Sequence, residues 1–237
     1  MLRGFMILVV YIVAAAASAV LIKFTCKPPK EVMRKLLHLI IVAAVFVYVY
    51  AFSKWYMSAA AAVMFAALAY PAVMIVERIP KLMEIFNERT AGEVRMSLLM
   101  IHAEFALLVC VFWGILGEDW KYMVIVSILA WGLGDAAAAL VGKRWGKRKI
   151  SHQWVDKNKT IEGSLAMLTV SAVTTAAAVG VLAGQPWYVA VVVALVTAPV
   201  CTLVEMISNG RVDTVTVPFS AAVVSFLVIR LFMLVGI

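Results

Sequence analysis

Residues 127–165, SILAWGLGDAAAALVGKRWGKRKISHQWVDKNKTIEGSL, decide how the rest of the chain is read. An apolar run carries one acid, Asp135, then breaks near Gly142 into a loop holding seven of the chain's 21 basic residues. A second apolar run begins just after Glu162. Two long apolar runs around a short cationic loop read as two membrane helices and their connection. A carboxylate inside such a run costs about 2.5–3.5 kcal/mol on insertion scales, so Asp135 is expected to have a partner or a task.

Composition places the whole chain in the same class. Hydrophobic residues make up 65% of 237 positions and charged ones 14%, with a mean hydropathy of +1.02; soluble domains sit nearer 45–50% apolar. A soluble core is thereby excluded, because lipid covers the outer surface and helices satisfy their own backbone groups. The net charge of +8 is read as facing anionic headgroups or phosphorylated substrates, not nucleic acid. Cys26, Cys110 and Cys201 are odd in number and far apart, which reads as packing residues and not as disulfides or metal ligands.

Apolar windows long enough to span a bilayer fall at 4–22, 36–52, 55–76, 96–117, 121–142, 163–184, 187–205 and 217–236. The first lacks a preceding basic cluster and a small-residue cleavage site, so it is kept as a span and not a signal peptide. With no soluble segment and no repeat, the expected fold is an all-α, polytopic integral membrane bundle of eight helices, seven being the alternative, in a single domain over 1–237. Basic residues orient it. The connections at 23–35, 77–95 and 143–162 hold five, four and seven, and that at 206–216 holds Arg211, whereas the opposite face has only Arg3, Lys54 and Lys121. The positive-inside rule puts the basic loops in the cytoplasm and both termini outside. A compact chain without long tails fits a prokaryotic cell membrane. The segment 77–95, with Leu82, Ile85 and Phe86 among charges, is expected along the cytoplasmic interface.

On this topology His38, Asp135, Glu205, His102 and Glu104 all lie in the cytoplasmic half, with Asp135 roughly 10 Å below the basic loop at 1.5 Å per residue. His102 and Glu104, two apart, do not share a helix face and read as structural polar groups. Glu31 and Lys35, four apart, have the spacing of a helix-surface ion pair. Gly142 and Gly146 frame Lys143, Arg144 and Trp145, and glycines at a helix exit let the backbone turn and approach a ligand. Thr160 has the position of an N-cap for the next helix, whose free N–H groups beside Lys159 would seat a phosphate. Trp145 and Trp154 serve either as interfacial anchors or as a stacking surface for a base. An acid inside a membrane beside a glycine-bearing cationic loop suits a metal–nucleotide, the carboxylate holding the cation and the loop the phosphates.

The pattern Gly134, Asp135, Ala138, Gly142, Gly146, Lys147, then Lys159, Thr160, Glu162, Gly163, resembles that of the CTP-dependent lipid kinases: dolichol kinase, phytol kinase and the CTP-using diacylglycerol kinases. A similar stretch occurs in phosphatidate cytidylyltransferases. Glu31, Arg34, Lys35 and His38 resemble the kinases' E-x-x-R-K-x-x-H opening, and Glu205, Asp213, Thr216 and Pro218 their closing signature, with Thr214 where that family carries asparagine. The cytidylyltransferase ending is absent. The likeness runs over residues 31–218.

The resemblance implies transfer of the terminal phosphoryl group of CTP to a membrane isoprenoid alcohol, with Mg²⁺ as cofactor. It implies Asp135 on the magnesium or as base toward the lipid hydroxyl, and Lys147, Lys159 and Thr160 on phosphates beside Gly142, Gly146 and Gly163. Glu162 would hold Lys159 or a second metal. Glu205 and Asp213 are further metal or base candidates, and Arg34, Lys35 and His38 would reach the phosphates or the alcohol. The alcohol would enter sideways from the bilayer. A phytol, geranylgeraniol or diacylglycerol acceptor, a cytidylyltransferase, and a transporter are the alternatives; a transporter would spread polar residues through the bilayer and break helices in paired positions.

Overall fold

In a computed structural model of the chain, residues 1–79, 92–156, 158–208 and 212–236 are described. Eight helices of 21 to 28 residues are long and apolar enough to cross a membrane, since 21 residues rise about 31 Å. The chain is an all-α integral membrane protein with the eight spans that hydropathy predicts. Lys157, Arg211 and most of the expected interfacial segment, from residue 80 to 91, lie outside the described residues. The described residues gather into two compact units, Met1–Gly114 and Ile115–Ile237.

The first unit holds α1 (Leu2–Cys26), α2 (Lys30–Tyr50), α3 (Trp55–Val76) and α4 (Glu93–Leu108). Each packs on the next. The α1–α2 contact is close because Gly4 has no side chain: a Cβ there would meet the Ala51 carbonyl and the Phe52 ring at 2.7 Å. Tyr11 donates its hydroxyl to the Ile40 carbonyl at 2.6 Å, and Ser58 of α3 donates to the Tyr48 carbonyl at 2.7 Å. α4 continues as a π-helical turn, Val109–Ile115, where Gly114 makes room for the Trp55 ring.

The second unit opens with a 3₁₀ turn, Glu118–Trp120, followed by α5 (Tyr122–Trp145), α6 (Ile161–Val181), α7 (Trp187–Ile207) and α8 (Asp213–Leu234). Consecutive helices pack together, and α8 returns against α5, closing a four-helix bundle. Hydroxyls join these helices in the manner of membrane proteins: Ser171 of α6 donates to the Ala130 carbonyl at 2.8 Å, and Thr197 of α7 bonds Ser225 of α8 at 3.1 Å.

One boundary differs from the sequence expectation and moves the site. α5 does not end near Gly142 but runs to Trp145, with Gly146 as its C-cap. Lys143 and Arg144 lie in its last turn, where cations complement the helix dipole. Asp135 is therefore ten residues, about 15 Å, from the helix end, deeper than the roughly 10 Å expected.

Candidate functional site

The site is built on a seam of small residues. Gly134, Ala138, Gly142 and Gly146 recur every fourth position on α5 and so lie along one face. A Cβ on Gly134 would strike Ser171 Oγ and, at 2.6 Å, Met167 Sδ. One on Gly163, at the start of α6, would stand 3.0 Å from the Ala138 carbonyl and 3.4 Å from the Gly142 Cα. One on Gly146 would overlap the Gly142 carbonyl and the Thr160 side chain. Neither Gly142 nor Gly146 has positive φ. These glycines let two backbones approach each other, with Thr160 wedged between them.

The loop after this seam is a tied hairpin. Lys149 and Thr160 form an antiparallel bridge, in which Ile150 N–H donates to the Lys159 carbonyl at 3.1 Å and Ile161 N–H to that of Arg148 at 2.9 Å. Thr160 is the N-cap of α6, its Oγ1 accepting from Gly163 N–H at 3.1 Å. Glu162 reaches across the hairpin, and its Oε2 accepts from the N–H groups of Lys147 at 3.2 Å and Arg148 at 3.3 Å. At the tip, Asp156 Oδ1 accepts from Asn158 N–H at 2.9 Å.

Two expectations change on this geometry. The α6 N-terminus, read as an open phosphate seat, has three of its amides engaged: Ile161 by Arg148, Gly163 by the Thr160 hydroxyl and Ser164 by the Thr160 carbonyl. Glu162 holds backbone amides, while Lys159 is held from elsewhere, by an ion pair with Glu205 near the end of α7. Glu205 is buried, at 3% exposure. The side chains of Lys143, Arg144, Lys147, Arg148 and Lys149 are exposed, so the hairpin presents cations and not backbone amides. Trp145 and Trp154 are also exposed, the former under the Arg144 guanidinium at 5.1 Å.

Asp135 is half-buried on α5, within the same bundle. Asp213 opens α8, where an acid favours the helix N-terminus. Thr216 ties the start of α8 to the end of α7 through Ser208, hydroxyl to hydroxyl at 2.9 Å. Among the described residues no three His, Cys, Asp or Glu side chains gather into a set able to hold a metal. Asp135, Glu205 and Asp213 thus do not form a ready protein cage.

Arg34, Lys35 and His38 belong to the first unit, on α2. Arg34 pairs with Glu31 one turn back and its Nη1 lies 3.8 Å from Glu93. Glu31 and Lys35 are buried, at 8% and 4% exposure, so neither is the surface residue that their spacing alone suggested. His102 is packed face-on against Phe65 with centroids 4.9 Å apart and edge-on to Phe105, its Nδ1 2.8 Å from the Leu98 carbonyl. That agrees with a structural role. Glu104 is fully buried.

Fold and site together define a polytopic helical membrane protein that carries a tied cationic hairpin at one end of a four-helix bundle. Among curated proteins the chain is similar to phytol kinase of Synechocystis sp. (strain ATCC 27184 / PCC 6803 / Kazusa), at 28% identity over 216 residues, covering 91% of this chain and 87% of that protein. No family model matches the chain, and no solved structure does.

Proposed function

We propose that this protein is a CTP-dependent lipid kinase that phosphorylates an isoprenoid alcohol within the membrane. The observation that carries the reading is the hairpin of residues 146–161, which holds exposed Lys147, Arg148 and Lys149 at the end of the helix that bears Asp135. The likeness to phytol kinase along 91% of the chain supports it. Phosphoryl transfer needs little covalent work from the protein and depends on positioning and charge neutralisation. The alcohol oxygen forms a bond to the γ-phosphorus of CTP, the bond to the β-phosphate oxygen breaks, CDP leaves, and the hydroxyl proton passes to a base.

In this reading Lys147, Arg148 and Lys149 take the triphosphate through side chains, because Glu162 already occupies the adjacent amides. Glu162, Thr160 and the glycines keep the hairpin in place. Lys159 would turn from Glu205 to a phosphate when CTP arrives. The donor set fits a magnesium ion brought in on the nucleotide, whose phosphates supply most of the ligands, with Asp135 as the protein's carboxylate. Bound there, the ion would neutralise charge developing on the transferred group. Asp135 serves either that ion or the hydroxyl proton, and both roles require its carboxylate. The named relative favours a phytol-sized alcohol; dolichol and longer polyprenols are the second reading, on the resemblance of the motifs.

The test uses purified protein in lipid with magnesium, a panel of phytol, polyprenols, diacylglycerol and phosphatidate, and CTP labelled in the α or γ phosphate. The expected result is γ label on an isoprenoid alcohol, and the panel then separates the short from the long acceptor. Label from the α phosphate in phosphatidate would replace this reading with a cytidylyltransferase, and no transfer at all would end the kinase reading.

A further inference from the structure

Glu104 is the twelfth of the 23 residues in the span Glu93–Ile115, so roughly 16 Å of helix lies on either side of it. Its side chain has no exposed surface, and neither carboxyl oxygen has a hydrogen-bond partner. No ion pair reaches it among the described residues. The other buried glutamates described, Glu31 and Glu205, each pair with a cation, Arg34 and Lys159 respectively. Five residues beyond Glu104, α4 passes into the π-helical turn Val109–Ile115, a rare geometry that is frequent at functional sites. A buried acid and a π turn are two separate local costs carried by one span.

A carboxyl this deep is neutralised by a basic side chain, a metal ion or a proton. Within the first unit no basic side chain is placed to do so. α3, which packs against α4, carries no Asp, Glu, Lys, Arg or His from Trp55 to Val76; of its tyrosines, Tyr56 is exposed and Tyr70 lies under the Arg95 guanidinium at 5.6 Å. On α2 the charged and imidazole groups, Lys30, Glu31, Arg34, Lys35 and His38, all lie at its N-terminal end. Tyr48, whose ring packs 4.9 Å from that of Phe105, brings an uncharged hydroxyl. On α4 itself Glu93 and Arg95 are at least nine residues away, and Cys110 is a half-buried thiol. His102 has its Nδ1 2.8 Å from the Leu98 carbonyl, which can only accept, so that nitrogen holds the ring proton. A metal ion fares no better, since no three His, Cys, Asp or Glu side chains gather among the described residues. A proton needs nothing but the carboxyl itself.

We propose that Glu104 is a proton-binding site, held in the folded protein as the neutral carboxylic acid at the middle of its span. The site is independent of the kinase reading. The folded protein then keeps a proton that an unfolded glutamate releases above about pH 4.3. Stability is therefore full below that pH and declines as pH rises, by up to about tenfold in the ratio of folded to unfolded protein per pH unit. Glu104→Gln, neutral at every pH, lacks this decline. The test is infrared spectroscopy of the full-length protein in lipid at about pH 6, where exposed carboxyls are ionised, with the glutamate carboxyl carbons isotopically labelled. The expected result is a carboxylic-acid C=O band that shifts with the label, disappears in Glu104→Gln and remains in Glu118→Gln, whose side chain is exposed. Thermal melting reads the same proton: wild type and Glu104→Gln differ least at about pH 5 and diverge toward about pH 8, wild type falling below the variant. Should Glu104→Gln not fold, the labelled band of wild type decides, since Glu31 and Glu205 are paired with cations. A spectrum with carboxylate bands alone, the signature of an ion hydrated or paired in place, overturns the proposal. So does a melting difference between the two proteins that stays constant with pH.

Discussion

Asp135 and Lys159 show how differently single residues reveal themselves. An acid in an apolar run is legible at once, because its insertion cost makes it conspicuous. In the kinase reading Asp135→Asn lowers kcat by about 10²–10⁴-fold, while gel filtration and melting stay as in wild type; normal turnover would remove Asp135 from the chemistry. The pairing of Lys159 with Glu205 was not legible, since the two are 46 positions apart and only the fold brings them together. Lys159→Ala leaves the buried Glu205 without this cation and is expected to destabilise toward the lower end of about 3–5 kcal/mol. The double variant Lys159→Met with Glu205→Leu should recover melting temperature but not activity. If it recovers both, the pair is structural only. Glu162 was legible as a site residue, but its partners were not, for a related reason: an acid accepting from amides fifteen and fourteen positions away has no sequence signature beyond its presence.

At the scale of elements, hydropathy located all eight spans, because about 20 apolar residues in a row admit few other readings. Their ends were less legible. Gly142, Lys143 and Arg144 look like a helix exit, yet α5 continues through them to Trp145, the glycine being required by its neighbour and not by a turn. The cap at Thr160 was readable from its place before an apolar run. Gly163→Ala would press a methyl against the Ala138 carbonyl and the Thr160 hydroxyl, at 3.0 and 3.1 Å. Overpacking of this kind costs about 1–3 kcal/mol, readable as a lower melting temperature, whereas Gly184→Ala, where a Cβ meets nothing within 4 Å, should cost only its backbone strain at φ +63. Equal, negligible losses at both sites would show that the seam tolerates side chains.

For the whole molecule, the asymmetry of basic residues between connections predicts sidedness. Cys26 is exposed at the end of α1, while Cys201 is buried, beside the cations Lys23 and Lys27 in the case of Cys26. A membrane-impermeant thiol reagent should therefore label Cys26 in inside-out vesicles and not in right-side-out ones, and leave Cys201 untouched until the protein is unfolded. Labelling of Cys26 from the outer side would invert the topology. The seam between α5 and α6 bears on how such a chain can change length. Its small residues recur every four positions, so the next register that keeps small against small lies about 6 Å away, and one residue lost between 135 and 142 would also turn Asp135 by about 100° relative to the seam. The hairpin is under no such restriction at its tip, because its base is closed by the Lys149–Thr160 bridge. Insertions near residues 152–156 can be absorbed there, whereas the helix beneath permits none.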